Sequence, residues 1–393
     1  MLLDLAIFLS ALLVLGAMFL PQLRNRPRWR AMVTPLASII GSGFLVLGPI
    51  LEARFGAMAP VAMAGLCLAG WLFGSAVRAN IAIEQQPDTR IIARLEDFAQ
   101  LSLAFAYVIS VAYYLNLFGA FAVSLTPWNS PVAAKSVTTV MLAVVAVAGF
   151  AGGFRALERM EYGSVAIKLA IIAGLLLGLA VYFSQKAVAG ALIIDPPTLP
   201  PWDALRLMFG LIVTVQGFET ARYLGKSYDA PTRIAAMKWA QMLSTAIYMV
   251  YIALLAYLFT PDAHKLTETS IIDVMRVVAP ILPAMLVAAA LAAQFSAAVA
   301  DTGGAGGLIS EFSRGKIAPK AAYLVLTSAG IALTWSADLF SIIAYASRAF
   351  AAYYALQAAL AALRSEGARS YGFWALAALG VVITLLGTPA EGD

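Results

Sequence analysis

The sequence predicts an all-α polytopic membrane protein of about twelve transmembrane helices, built as one domain on a five-plus-five inverted repeat with one extra helix at each end. Three observations predict it. Apolar runs of about 18 to 25 residues, each long enough to cross about 30 Å of hydrocarbon, recur from end to end. Of 393 residues, 62% are hydrophobic and only 12% charged, against about 25% charged in an ordinary soluble domain. The basic residues alternate from side to side with the intervening loops instead of gathering into one patch.

In chain order the spans begin near Leu2, Met32, Ala57, Leu101, Val132, Gly163, Ala204, Lys238, Ala279, Ala321, Phe340 and Tyr371. The first is not a cleaved signal: Asp4 precedes its apolar run and Arg24, Arg26, Arg28 and Arg30 follow it, the reverse of a leader's charge order. Those arginines place the next loop in the cytoplasm and the N-terminus outside. Most of the 26 basic residues fall on that same side, among them Arg78, Arg90, Arg94, Arg222, Arg233 and Lys238. Twelve spans therefore put both termini outside, and the expected location is a bacterial cytoplasmic (inner) membrane.

Several classes are excluded. A formal charge of +5 spread over the loops gives no nucleic-acid surface. One cysteine, Cys67, permits no internal disulfide, and one histidine, His264, provides no metal cluster. Without a His-Glu-x-x-His or a histidine-based nucleophile pair, an enzyme is not expected, nor is a cofactor. The oligomeric state is not legible.

The chain reads as one domain, 1–393. Residues 1–21 and 370–388 form the extra helices, 32–185 the first repeat and 203–365 the second. Two consecutive five-helix units must face opposite ways, because five is odd. Segments at Gln86 to Gln100 and Asp262 to Val277, amphipathic enough to form short surface helices, fall between the second and third helix of each unit, on opposite sides. Each unit also opens with a helix carrying a break, Gly41-Ser42-Gly43 in the first and Gln216-Gly217-Phe218-Glu219 in the sixth. Glycine weakens a helix interior by about 1 kcal/mol. Peptide groups freed in a membrane need partners, so such breaks line cavities or bind ligands. Half-helix N-termini favour a carboxylate and freed carbonyls favour an ammonium or other cation, which together suit a zwitterion. The competing reading is that Gly41 and Gly43 only let helices pack closely.

These residues resemble the amino acid, polyamine and organocation (APC) superfamily, whose fold is that of the bacterial leucine transporter. Ile39-Ile40-Gly41-Ser42-Gly43-Phe44 is similar to the first-helix motif. Gly217-Phe218-Glu219 is similar to the sixth-helix Gly-Phe-Glu, and Tyr228-Asp229-Ala230-Pro231-Thr232-Arg233 to the Asn-Pro-x-Arg loop. The resemblance implies that Gly41, Ser42, Gly43 and Phe44 meet the substrate, with Ser42, Gly43 and Phe44 offering backbone amides. It implies the same for the sixth-helix residues Val213, Thr214, Gln216, Gly217 and Phe218, and for Tyr113 or Tyr114 on the third helix. Val213 stands where the family often has an aromatic gate. The Pro and Gly pattern after the second helix is missing, the eighth helix reads Ala300-Asp301-Thr302-Gly303-Gly304, and an N-terminal span is added. The chain reads as a divergent branch.

Charges inside a membrane cost about 2.5 to 3.5 kcal/mol at mid-helix and mark function by default. Lys168, on the fifth helix, stands where sodium-independent relatives place an amine in a sodium site. That likeness implies Ser296 as its hydroxyl neighbour and a route for coupling a proton, while a snorkelling lysine is the alternative. Glu219 reads as a proton carrier or, slightly preferred, a latch on backbone donors. Arg348, near mid-bilayer, needs a partner, for which Glu219 is a candidate. Asp301 reads as a solvated aspartate at the inner mouth. The expected function is alternating-access transport of a small amino acid or related amine, coupled to protons and independent of sodium. The alternatives are a cation-coupled carrier of another solute on the same fold and a non-transporting sensor.

Overall fold

Helices occupy the apolar runs and begin where a residue can serve their first turn. Proline, which has no N–H to lose, stands within the first two positions of α2 (Pro21–Arg24) and α3 (Pro27–Ile39). Thr89 caps α6 (Arg90–Ser124) by accepting from Ile92 N, and Asp229 caps α10 (Ala230–Leu255) by accepting from Thr232 N at 3.0 Å. Hydrogen bonds from the Thr232 hydroxyl and from its backbone N–H hold the exposed Asp229 carboxyl below the usual range. This computed structural model describes residues 2–41, 43–84, 89–152, 154–225, 227–259, 267, 269–313 and 316–390, with backbone alone at 151, 152, 154–161, 311, 319 and 320.

The other helices are α1 (Leu2–Phe19), α4 (Gly43–Phe55), α5 (Ala59–Ala82), α7 (Pro131–Gly152), α8 (Phe154–Val188), α9 (Pro201–Gly210), α11 (Ser270–Val278), α12 (Leu282–Phe312), α13 (Pro319–Ser336), α14 (Leu339–Leu363) and α15 (Gly367–Leu386). Two 3-10 segments, Ile212–Val215 and Phe218–Leu224, follow α9. The protein is an all-helical polytopic membrane protein. Eight stretches among the described residues are long and apolar enough to cross a membrane. Passages missing from that set are interrupted, short or more polar, as in α3, α9, α10 and α13.

The packing carries the repeat. Taking α3 with α4 as the first helix of one unit and α9 with its 3-10 segments as the first of the other, α5 answers α10, α6 answers α12, α7 answers α13 and α8 answers α14. The contacts come in matching pairs: α6 packs on α14 and α12 on α8, while α5 meets α10, α6 meets α12 and α7 meets α13. Even the extra helices follow suit, α1 lying on α8 and α15 on α14. Gly174 and Gly178 admit Ile7 of α1, and Gly380 admits the α14 backbone at Ala351 and Ala355.

One boundary differs from the sequence reading. The segment at Gln86 to Gln100 does not form a surface helix apart from the third span. From Arg90 it is the first part of α6, whose 35 residues run about 52 Å at 1.5 Å each, well beyond the hydrocarbon. No glycine or proline stands between Arg90 and Phe118, so nothing ends the helix where the segment joins the third span. On the other side α11 is separate, because Pro280 follows it before α12 begins. Positions 85–88, 260–266 and 268 lie outside the described residues.

Candidate functional site

Both expected helix breaks are present and lie against each other. The α3 helix stops at Ile39, Ile40 leaves helical geometry (ψ 50°), and α4 starts at Gly43. In the sixth passage α9 stops at Gly210, the 3-10 turn Ile212–Val215 follows, Gln216 is extended, and Gly217 takes φ +111°, a conformation that favours glycine. A methyl group on Gly43 would lie 2.5 Å from the Thr214 Cβ, and one on Gly217 would lie 2.5 Å from the Ser38 Oγ. The glycines thus serve both readings, since they break the helices and let the broken segments touch.

Buried side chains serve the backbone groups these breaks release. Lys168 Nζ donates to the carbonyls of Ala37 and Ile40, at 2.6 and 2.8 Å. The Tyr248 hydroxyl of α10 stands 2.7 Å from Ile39 O and 2.9 Å from Thr214 O, sharing its proton between the two breaks. Ser347 of α14 accepts from Val213 N at 3.0 Å and donates to Gly210 O at 2.7 Å. Glu219 Oε2 accepts from Gly217 N at 2.9 Å and from the Tyr354 hydroxyl at 2.7 Å. Gln216 Nε2 donates to the Tyr114 hydroxyl at 2.8 Å. Two acceptors remain open: Gln216 Oε1 and Glu219 Oε1 are buried with no hydrogen-bond partner among the described residues, a costly arrangement in a dry interior. A cavity of about 10 Å³, the room of one water molecule, lies beside Lys168 between Ile40, Gly41, Phe44 and Ala293.

A family model described as "APC superfamily transporter" matches residues 21–387. The chain belongs to the APC superfamily of transporters. It is also 40% identical over 371 residues to an uncharacterized protein of Aquifex aeolicus (strain VF5), an alignment spanning 92% of this chain and 90% of the relative.

In this APC transporter several sequence expectations meet at the breaks. Gly41, Gly43, Thr214, Gln216, Gly217 and Tyr114 lie at the junction, while Ser42 lies outside the described residues. Tyr113 is buried beside Tyr114, their ring centroids 5.3 Å apart. Phe44 packs its ring on Tyr248 and Tyr251, and Phe218 stacks on Tyr354 with centroids 5.0 Å apart. Val213 meets α14 through its backbone N–H. Lys168 is 1% exposed and its amine is bound at the first break, so it does not snorkel. Glu219 has the latch geometry.

Ser296 is buried, and its hydroxyl donates to Ala293 O one turn back along its own helix, at 3.0 Å. Two placements correct the reading. Arg348 points away from Glu219: its Nε donates to Thr384 O of α15 at 2.7 Å, bracing the extra helix. Asp301 is not solvated. It is 0% exposed and accepts from Ser110 of α6, because the tight α6–α12 contact encloses that turn of α12.

Beyond the breaks, the arginine-rich end of the transporter carries a polar network that the sequence did not reveal. Arg222, on the 3-10 segment after the second break, pairs with Glu96 of α6 at 2.8 Å and bonds Gln357 of α14. Asn80 of α5 donates to the Gln357 backbone and side chain, both at 2.9 Å. Arg233, in the first turn of α10, pairs with Glu84 and donates to Arg222 O at 2.6 Å. Tyr248 and Ser347 were likewise missed. Each is a hydroxyl among mainly apolar neighbours, and only knowledge of which faces oppose the breaks distinguishes them from packing residues.

Proposed function

We propose that this transporter moves a small amino acid or related amine by alternating access, coupled to protons and independent of sodium. The observation that carries the reading is the pair of touching helix breaks with Gln216 Oε1 and Glu219 Oε1 buried and unpartnered beside them. An ammonium group answers both acceptors, and the first-turn N–H groups of α4 from Gly43 onward suit its carboxylate. Gly43, Phe44, Gln216 and Gly217 form the solute's backbone cradle, with Phe44, Tyr114 and Phe218 around its side chain.

Sodium independence is supported by the Lys168 amine, which occupies the very carbonyls a cation would use. Glu219, held by Gly217 N and Tyr354, is the proton carrier nearest the solute. The Arg222–Glu96 network is the gate at the arginine-rich, cytoplasmic end. Rocking of α3, α4, the sixth passage and their neighbours against α6, α8, α12 and α14 exposes the breaks to each side in turn. Both termini lie outside an inner membrane, and residues 32–185 and 203–365 are the two repeats.

Uptake of labelled amino acids and amines into proteoliposomes tests the proposal. An inward proton gradient drives accumulation of at least one solute without sodium, and strict sodium dependence overturns the coupling.

A further inference from the structure

Away from the breaks, an open groove of about 630 Å³ runs along the outer side of the α5–α10 pair, within the range of about 300–1,000 Å³ of small-molecule sites. Ala64, Leu68 and Trp71 of α5 line one wall, and Lys238, Met242 and Ala246 of α10 line the other. Each set follows the three- and four-residue spacing of one helix face. Leu68 and Met242 are 57% and 43% exposed, as apolar side chains that face lipid are. Ala64 and Ala246, also exposed, are too small to fill the hollow between the helices.

Charge is confined to one end of this groove. Lys238 is exposed and makes no hydrogen bond or ion pair among the described residues. The Arg78 guanidinium stands 4.6 Å over the Trp71 ring, donates to Trp71 O at 3.3 Å and bonds Gln241. Those partners are all neutral, and Gln241 donates in turn to Gly70 O at 2.8 Å, which fixes the guanidinium to both helices. Arg78 is four residues from the end of α5 and Lys238 eight from the start of α10, about 6 and 12 Å by helical rise. The lysine's stem lets its amine rise to the headgroups, and the exposed Trp239 beside it is the aromatic anchor usual at that depth. A second open groove, bounded by α1, α8 and α12 and about 350 Å³ in volume, is lined by apolar side chains alone. It has room for an acyl chain and nothing with which to select a headgroup.

We propose that the α5–α10 groove binds one anionic phospholipid from the leaflet at the arginine-rich end, with its headgroup phosphate at Lys238 and Arg78 and one acyl chain lying past Leu68, Met242 and Ala246. Basic pockets between membrane helices recognise anionic headgroups. A free phosphate would have no use for the apolar walls, and an uncharged amphiphile none for two cations without a carboxylate. The lipid bridges the two helices that Gln241 joins. Because α10 also carries Tyr248, whose hydroxyl meets both breaks, the lipid braces the helix behind them. The site does not depend on the solute or the coupling ion proposed above.

Lipid retention by the purified protein tests it. The protein in detergent is mixed with equal amounts of phosphatidylglycerol and phosphatidylcholine of the same chains, and bound lipid is counted by native mass spectrometry. Wild type retains one phosphatidylglycerol in preference, and Lys238→Gln lowers that preference about fivefold, the effect of one basic residue near an anionic surface. Ala246→Trp fills the groove and abolishes retention, while Lys316→Gln, at an exposed lysine beyond α12, changes nothing. Phosphatidylglycerol also raises the unfolding temperature of wild type, and glycerol phosphate without chains does not. Equal retention of the two lipids by wild type overturns the proposal, as does a preference unchanged in both Lys238→Gln and Ala246→Trp. Stabilisation by glycerol phosphate to the same extent would make this a site for a free anion and overturn the lipid.

Discussion

Gly43 and Thr214 meet so closely that a methyl group on the glycine would stand 2.5 Å from the threonine Cβ. The contact joins the start of one half-helix to the 3-10 turn of the other, so the separation of the breaks is set by a missing side chain. Gly43→Ala is predicted to cost about 1–3 kcal/mol of stability through overpacking and to lower solute uptake more than its stability loss explains. Gly163→Ala is the control, since nothing lies within 4 Å of its added carbon. Thermal unfolding and uptake of the two variants check this.

Lys168 holds two carbonyls that no neighbouring turn can serve. Lys168→Met keeps the apolar stem and removes the charge, and it is predicted to cost about 2–4 kcal/mol by leaving both acceptors buried. Proton-driven uptake is expected to disappear. Unchanged stability and uptake would mean that the amine contributes nothing at the break.

Tyr248→Phe removes one oxygen between Ile39 and Thr214. The expected loss is about 1–3 kcal/mol, with Ser347→Ala similar because it frees Val213 N and Gly210 O. Denaturant melts of the purified variants measure both.

Arg222 and Glu96 form a largely buried ion pair, with side-chain exposures of 11% and 14%. A double-mutant cycle with Arg222→Met and Glu96→Gln is predicted to give a coupling energy of about 1–3 kcal/mol. The single variants should also raise thiol labelling of cysteines placed along the α6 face behind the pair. Additive single effects would reduce the gate to a surface contact.

How much of this was written in the sequence depends on whether a feature has a local cause. Helices and their order follow from apolar runs, and the breaks follow from Gly41, Gly43 and Gly217, whose weakness in a helix needs no tertiary context. The position of Lys168 was legible because a mid-membrane charge demands a partner. The identity of a partner is a tertiary fact. Arg348 turned out to brace Thr384 of a helix outside the repeat, and Asp301 is enclosed by Ser110, neither of which any spacing rule contains. Tyr248 and Ser347 were hidden for the same reason, as hydroxyls among mainly apolar neighbours. The expected surface helix merged into α6 because composition marks amphipathicity and only a breaker marks an end.

Ligand-dependent unfolding of wild type and of variants at each break tests the central claim most directly. A solute at about a hundred times its dissociation constant stabilises its site by about 2.7 kcal/mol. The account predicts that one amino acid or amine raises the unfolding temperature of wild type, and that Gly43→Ala and Gln216→Ala each remove most of that rise. A solute that stabilises all three proteins equally would place binding elsewhere and contradict the account.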